Sequence, residues 1–333
     1  MPRPRRTYEI RLITPAFIAG ADQHVPELRV PEIRGCLRWW LRLAEHGAGA
    51  AMPGLRRTES EMFGSTGLGQ RLLLRVRPNG AVTPEQPQYA ALPFDHQYLW
   101  FSLRPERGDG KAIRRPAVAA GTVFTLEATL PPAVRDPAQV LDRLDKVVSQ
   151  WVLFGAIGTR SRRCAGSLWF ASRLPGGREL PTGKDAIEDV LQAHRMSLPI
   201  ELVVSSEVFG DWGGAVRAAG NHYRGRRKEV KDRKGRVALP ALGWPIMGRA
   251  AKGDSIIVDG RETDRMASPV LLKVIPDGAR FRWVLVTVKR PFAETVRSGG
   301  GEARIAEVIG EFARDFESAR GPEPGRRGGA PRR

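Results

Sequence analysis

The sequence predicts an α+β fold made of two tandem ferredoxin-like units, the second lacking its last strand. Three observations carry this. Alternating and helically periodic segments follow one another in the order βαββαβ up to Ser172; a Pro/Gly linker lies near residues 175–183; and beyond it the order is β, α-like, β, β, α.

Thr7 to Ile13 alternates Tyr8, Ile10 and Leu12 against Glu9 and Arg11, as a first strand does. In the helix opened by Pro31, Ile33, Leu37, Trp40, Leu41 and Ala44 recur at i, i+4, i+7 and i+8 and mark a buried face. Arg34, Arg38 and Arg42 form a second line on it, roughly 12 Å long. Arg71 to Arg77 and Gly121 to Leu130 read as the second and third strands, and residues 78–120 between them as an insertion. Asp136 caps a helix carrying Val140, Leu141, Leu144, Val147, Val148, Trp151 and Val152, and Ser167 to Ser172 closes the unit, residues 1–175.

The second unit, residues 184–320, contains a strand over Leu198 to Val204 and a short helix over Gly213 to Tyr223. His222 to Arg236 holds eight Lys or Arg against Glu229 and Asp232 and reads as a solvated basic loop. Leu242 to Gly248 reads as a buried turn, and Ser268–Ile275 with Phe281–Val288 as a hairpin across Pro276-Asp277-Gly278. A helix over Glu302 to Ala319 turns Ile305, Val308, Ile309, Phe312 and Phe316 inward, and residues 321–333 form a disordered basic tail.

Charge is the most informative bulk property. Fifty-four Lys and Arg against 36 Asp and Glu leave +18, which favours a polyanionic partner. No apolar run reaches the roughly 18 residues of a membrane span, and no signal-peptide pattern is present, so a cytoplasmic location without membrane contact is expected. Cys36 and Cys164 lack metal-ligand spacing and read as packing residues; neither a metal nor a cofactor is expected.

Gly155 to Gly166 is the loop with the clearest chemical logic. Its glycines permit close backbone approach to phosphate oxygens, and Arg160, Arg162 and Arg163 add bidentate donors. It lacks the Gly-Lys-Ser/Thr of a P-loop and follows a helix where a dinucleotide fingerprint follows a strand. A plain helix-to-strand turn is the competing reading.

Together with Thr14 to Asp22, Glu27-Leu28-Arg29, Pro31-Glu32-Ile33-Arg34-Gly35 and Leu37 to Arg42, this loop resembles the signature of the RAMP superfamily. Within it, the resemblance is to the first-numbered RAMP subunits of Cmr modules in type III-B CRISPR effector complexes. Phe63-Gly64-Ser65, Leu242 to Gly248 and Ala267-Ser268-Pro269 resemble later landmarks of the same family in the same order; Cys164-Ala165 departs from it, where such loops carry glycine and an aromatic.

The resemblance implies RRM-related domains and a non-catalytic RNA-binding and assembly role near the 3′ end of a guide RNA, helping to capture target RNA in antiviral defence. The implied partners are guide (CRISPR) RNA, target RNA and the other RAMP subunits. The RNA-contact candidates are Arg29, Arg34, Arg38, Trp39 and Arg42 on or before the first helix; Gly155, Gly158, Arg160, Ser161, Arg162, Arg163 and Gly166 in the loop; and Arg224, Arg226 and Arg227. The same arginines could instead face partner subunits or form a solvated helix face. RAMP-like proteins also include metal-independent endoribonucleases, so the alternative is guide-RNA processing with His24, beside Asp22 and Arg29, as general base.

Overall fold

The chain begins with β1, Arg5–Leu12, whose residues are alternately exposed and buried along its length. The computed structural model describes residues 3–67, 69, 71–85, 92–103, 116–132, 134, 136–195, 197–243, 256–263, 266–289, 293–298 and 301–319. After β1 come α1 (Val30–Gly47), α2 (Met52–Phe63), β2 (Leu73–Pro78), β3 (Pro84–Glu85), α3 (Phe94–Leu99), β4 (Ala117–Val118), β5 (Val123–Thr129), α4 (Pro137–Phe154) and β6 (Leu168–Phe170). The first sheet runs β2-β5-β1-β6, each neighbouring pair antiparallel.

α1 forms where its apolar spacing and Pro31 predict, burying Ile33, Leu37, Trp40, Leu41 and Leu43. The Asp136 carboxylate accepts from the Gln139 N–H at 3.1 Å and opens α4 as an N-cap. α2 is not apparent from the sequence. Its first turn, Met52-Pro53-Gly54, reads as linker, and only Leu55, Met62 and Phe63 are buried.

The second half comprises α5 (Lys184–Arg195), β7 (Ile200–Val204), α6 (Trp212–Lys234), β8 (Ile256–Val258), β9 (Arg261–Thr263), β10 (Val270–Asp277), β11 (Arg280–Val288), β12 (Thr295–Ser298), β13 (Gly301–Arg304) and α7 (Ile305–Ala313). β10-β11-β7 form one sheet and β13-β12-β8-β9 a smaller one. The β10–β11 hairpin pairs Val270 with Thr287 through Asp277 with Arg280, as expected.

Several expectations are corrected. His222 to Lys234 is not a loop but the C-terminal half of α6, a helix capped at its start by the Asp211 carboxylate and held by Arg226 and Tyr223 on its buried side. α7 begins at Ile305, because residues 301–304 pair with β12; Ile305, Val308, Ile309, Phe312 and Phe316 are buried as predicted. α5 lies between the 175–183 linker and the Leu198–Val204 strand, over residues to which the sequence assigns no element, with Ile187 and Leu191 as its only buried residues. Residues 86–91 and 104–115 of the expected insertion, 244–248 of the expected turn and the tail 321–333 lie outside the described residues.

The described part of the insertion is a clamp between the halves. α3 packs on α6 where Gly220 brings the helix against Asp95, and Asp95 pairs with Arg224 at 2.7 Å. Trp100, fully buried, meets Phe17 of the first half edge-to-face at 5.4 Å and stacks with Trp212 of the second at 6.5 Å. A second junction is Lys273 on β10, 1% exposed, whose ammonium donates to the carbonyls of Val152 (2.7 Å), Leu153 (2.8 Å) and Leu168 (3.0 Å). Burial pushes its pKa well below the ordinary lysine value, while the carbonyls favour the charged form, the only one with three donors.

Candidate nucleic-acid interface

The Gly155–Gly166 loop sits between the segment leading into α1 and the edge of β10. On one side Thr159 donates its N–H to the Phe17 carbonyl at 2.9 Å, and the Gly166 N–H donates to Pro15 at 2.8 Å. On the other, Cys164 N–H donates to the Leu272 carbonyl at 2.8 Å and Leu272 N–H to that of Arg162 at 3.1 Å. The loop thus adds a short stretch of parallel pairing to β10.

Its glycines serve packing, which corrects the expectation of an open N–H cradle for phosphate. Gly158 has φ +88°, and a Cβ there would stand 2.8 Å from Ile18 Cγ1 and from the Phe17 carbonyl oxygen. At Gly166, φ +59°, a Cβ would collide with the Ile157 carbonyl oxygen at 1.9 Å. The N–H groups of Ile157, Thr159, Ser161, Arg163, Cys164 and Gly166 are all taken by protein carbonyls. Cys164 itself has φ +67°, a left-handed conformation in which a side chain carries roughly 1–2 kcal/mol of strain. Burial pushes its thiol pKa up, and Cys36 is pushed up to about 12 for the same reason, so both remain thiols.

The loop and α1 enclose one cleft of about 460 Å³. Trp39, Gly155, Gly158, Ser161 and Arg162 of the expected contacts line it, with Glu32 and Cys36 from the same helix. Trp39 is half-buried and Trp40 is core, their rings edge-to-face at 4.8 Å. The Arg162 guanidinium lies 4.9 Å from the Trp39 ring centre and donates to the Ser268 carbonyl. Burial, and then the charge of Arg163, lower its pKa to about 10, which leaves it cationic at neutral pH. Arg160 stands 4.1 Å over the Phe101 ring.

The remaining arginines are engaged by the protein to different degrees. Arg38 donates to the carbonyls of Phe63 (3.1 Å) and Gly64 (2.6 Å) and, with Arg42, meets Glu59 at 3.5 Å, so both hold α2 against α1. Arg34 has a buried Nε without a hydrogen-bond partner among the described residues. Arg29 pairs with Glu27 at 3.0 Å and Glu32 at 3.5 Å. Arg163 donates to the carbonyls of Val270 (2.7 Å) and Leu242 (3.3 Å), to Ser268 Oγ (3.0 Å) and to the Tyr223 hydroxyl (2.6 Å). Arg224 and Arg226 are buried. Arg226 is held by Glu229 and by the carbonyls of Glu311 and Phe312, while Arg227 lies 5.9 Å from the Tyr223 ring. Their guanidiniums are occupied within α6 and its neighbours.

The open face of the first sheet is not a stacking platform. Its central strands present Thr7, Glu9 and Arg11 opposite Glu127, Thr125 and Val123, without an aromatic ring. His24 lies on the exposed loop before α1, its N–H bonded to the Asp22 carboxylate at 2.8 Å, and does not line the cleft. Among the described residues no group of His, Cys, Asp and Glu could hold a metal, and no helix is long and apolar enough to cross a membrane.

The sequence landmarks converge on this site. Phe63-Gly64 is gripped by Arg38, and Leu242 and Ser268 by Arg163. The segment from Glu9 of β1 to Trp169 of β6, which contains α1 and the Gly155–Gly166 loop, matches the model of the RAMP superfamily over residues 9–169. Two Pyrococcus furiosus proteins similar to this chain are CRISPR system Cmr subunits. Cmr1-2 is 26% identical over 173 residues, 48% of this chain and 92% of the relative; Cmr1-1 is 28% identical over 171 residues, 48% of this chain and 46% of the relative. The chain therefore spans about half the length of the second. Likeness of fold extends further: the crystal structure of apo Cmr1 from Pyrococcus furiosus superposes with a TM-score of 0.56 at 19% identity, covering 87% of this chain and 89% of that one. A chain of the type III-B Cmr-β complex bound to cognate target RNA superposes with a TM-score of 0.56 at 13% identity, covering 92% and 98%.

Proposed function

We propose that this chain is a non-catalytic RNA-binding and assembly subunit of a type III-B Cmr effector complex, located near the 3′ end of the guide RNA and helping to capture target RNA. The carrying observation is the cleft between α1 and the Gly155–Gly166 loop, with Arg162 and Trp39 side by side in its lining. The names of the relatives, Cmr subunits, and the RNA-bound complex among the structural neighbours support the same reading. In this reading Arg34, Arg160 and Arg162 meet RNA, Arg29 and Ser161 flank them, and Arg38, Arg42 and Arg163 shape the surface from behind. The chain comprises two tandem ferredoxin-like units, residues 1–175 and 184–320. The strand order β2-β5-β1-β6 supports the first, and β10-β11-β7 supports a second without its fourth strand.

Purification of the native protein tests the role: RAMP subunits and a guide RNA should come with it. Incubated without divalent metal, the isolated chain should leave guide-precursor and target RNA intact. Recovery of the chain alone would remove the assembly role, and specific RNA cleavage would remove the non-catalytic one.

Replacing Arg160 and Arg162 together by alanine should weaken single-stranded RNA binding and flatten its salt dependence. Each lost phosphate contact should reduce the slope of log K against log salt by about 0.7. A slope equal to wild type would take the loop out of the RNA path.

A further inference from the structure

The cleft carries a feature that phosphate binding does not explain. Its lining includes a carboxylate, Glu32, one turn before Cys36 on α1. Glu32 Oε1 faces Arg29 at 3.5 Å, but Oε2 is buried and accepts no hydrogen bond from the described residues. A buried acceptor without a donor is costly, and a carboxylate repels a phosphate, so the natural occupant of this position is a neutral group rich in N–H donors. The walls around it are apolar and aromatic, from Phe17, Ile18 and Trp39, the surface on which a nucleobase packs. Arg162, over the Trp39 ring, places a cation beside those walls, where the sugar-phosphate attached to a base would need one.

We propose that this cleft is a base-specific subsite that takes a single extruded guanine. The inference rests on the RNA-binding reading and deepens it. Of the four RNA bases only guanine presents two adjacent N–H donors, N1–H and N2–H, on its Watson–Crick edge. A carboxylate is acceptor-only and matches that edge. Adenine and cytosine offer one exocyclic amine beside an acceptor that would face the carboxylate, and uracil offers one N–H between two carbonyls. The site therefore selects by donor pattern and rejects by placing acceptors against Glu32. The volume, about 460 Å³, falls within the roughly 300–1,000 Å³ of small-molecule sites.

The test is an affinity series on the full wild-type chain, using short uridine-rich RNAs that carry G, inosine, A or C at one central position. The G oligonucleotide should bind about tenfold more tightly than the A or C oligonucleotides, in the range of a bidentate base contact. Inosine, which keeps N1–H and lacks the N2 amine, should fall between them. In Glu32→Gln the preference for G over A should shrink to less than about twofold. Equal wild-type affinity for G and A oligonucleotides overturns the guanine subsite and leaves the RNA-binding reading standing. Failure of every oligonucleotide to bind at low salt overturns the RNA-binding reading instead. The subsite is then decided by titrating GMP against AMP into the chain, and absence of a GMP preference overturns it.

Discussion

Arg163→Ala should loosen the contact between the two halves and lower stability by about 3 kcal/mol or more, a melting-temperature drop on the order of 5 °C. One guanidinium holds the Val270 and Leu242 carbonyls, Ser268 Oγ and the Tyr223 hydroxyl, and lies 4.4 Å from the Tyr223 ring. These partners belong to β10, the turn after α6, the segment before β10 and α6 itself, so truncation strips four groups of a charged donor at once. Hydrogen bonds to charged groups are worth about 1.5–3 kcal/mol each, and relaxation and water entry reduce the sum. Arg163→Lys should recover less than half of the loss, because an ammonium cannot reproduce the planar fork. RNA affinity should fall as the loop shifts, but the salt slope should stay at the wild-type value, since this arginine holds protein oxygens and not phosphate. A flattened slope would make Arg163 a phosphate contact and contradict the assignment.

The second large effect is expected at Lys273. Lys273→Met keeps the length of the side chain and removes the desolvation cost of its charge, which by itself would stabilise. Against this stand three buried carbonyls left without a donor, two of them, Val152 and Leu153, in the last turn of α4. Carbonyls at the C-terminal end of a helix favour a cation, and burial is what opposes the charge here. At about 1–3 kcal/mol for each unsatisfied group, the carbonyls outweigh the gain, and a net loss of about 2–3 kcal/mol is expected in urea denaturation. A variant within about 0.5 kcal/mol of wild type would show that water replaces the ammonium.

Much of the first half is legible because its signals are local. Pro31 and the spacing of Ile33, Leu37, Trp40 and Leu41 define α1, and Asp136 marks the start of α4. The cleft is legible in part: Trp39 and the Gly/Arg loop both stand out in the sequence, and they meet. Glu32 does not stand out as a site residue, because a glutamate in the first turn of a helix ordinarily complements its dipole, and only the tertiary structure leaves Oε2 without a partner. Arg38, Arg163 and Arg226 look like surface cations because composition does not say whether the nearest oxygen belongs to phosphate or to a backbone carbonyl. α6 reads short because its basic C-terminal turns lack an apolar stripe. There the helix is held on its inner side by Arg226 on the Glu311 and Phe312 carbonyls, a polar interface invisible to hydropathy.

The pairing of the loop with β10 bears on how the molecule comes into being. Val270, which Arg163 grips, follows it by 107 residues. At roughly 5–20 residues per second, a ribosome takes about 5–20 seconds to deliver it after the loop has emerged. Throughout that interval the nascent first half lacks the strand that fixes the loop. Its basic segment is then a tethered polycation without the finished cleft, and base selection begins only after β10 has been made.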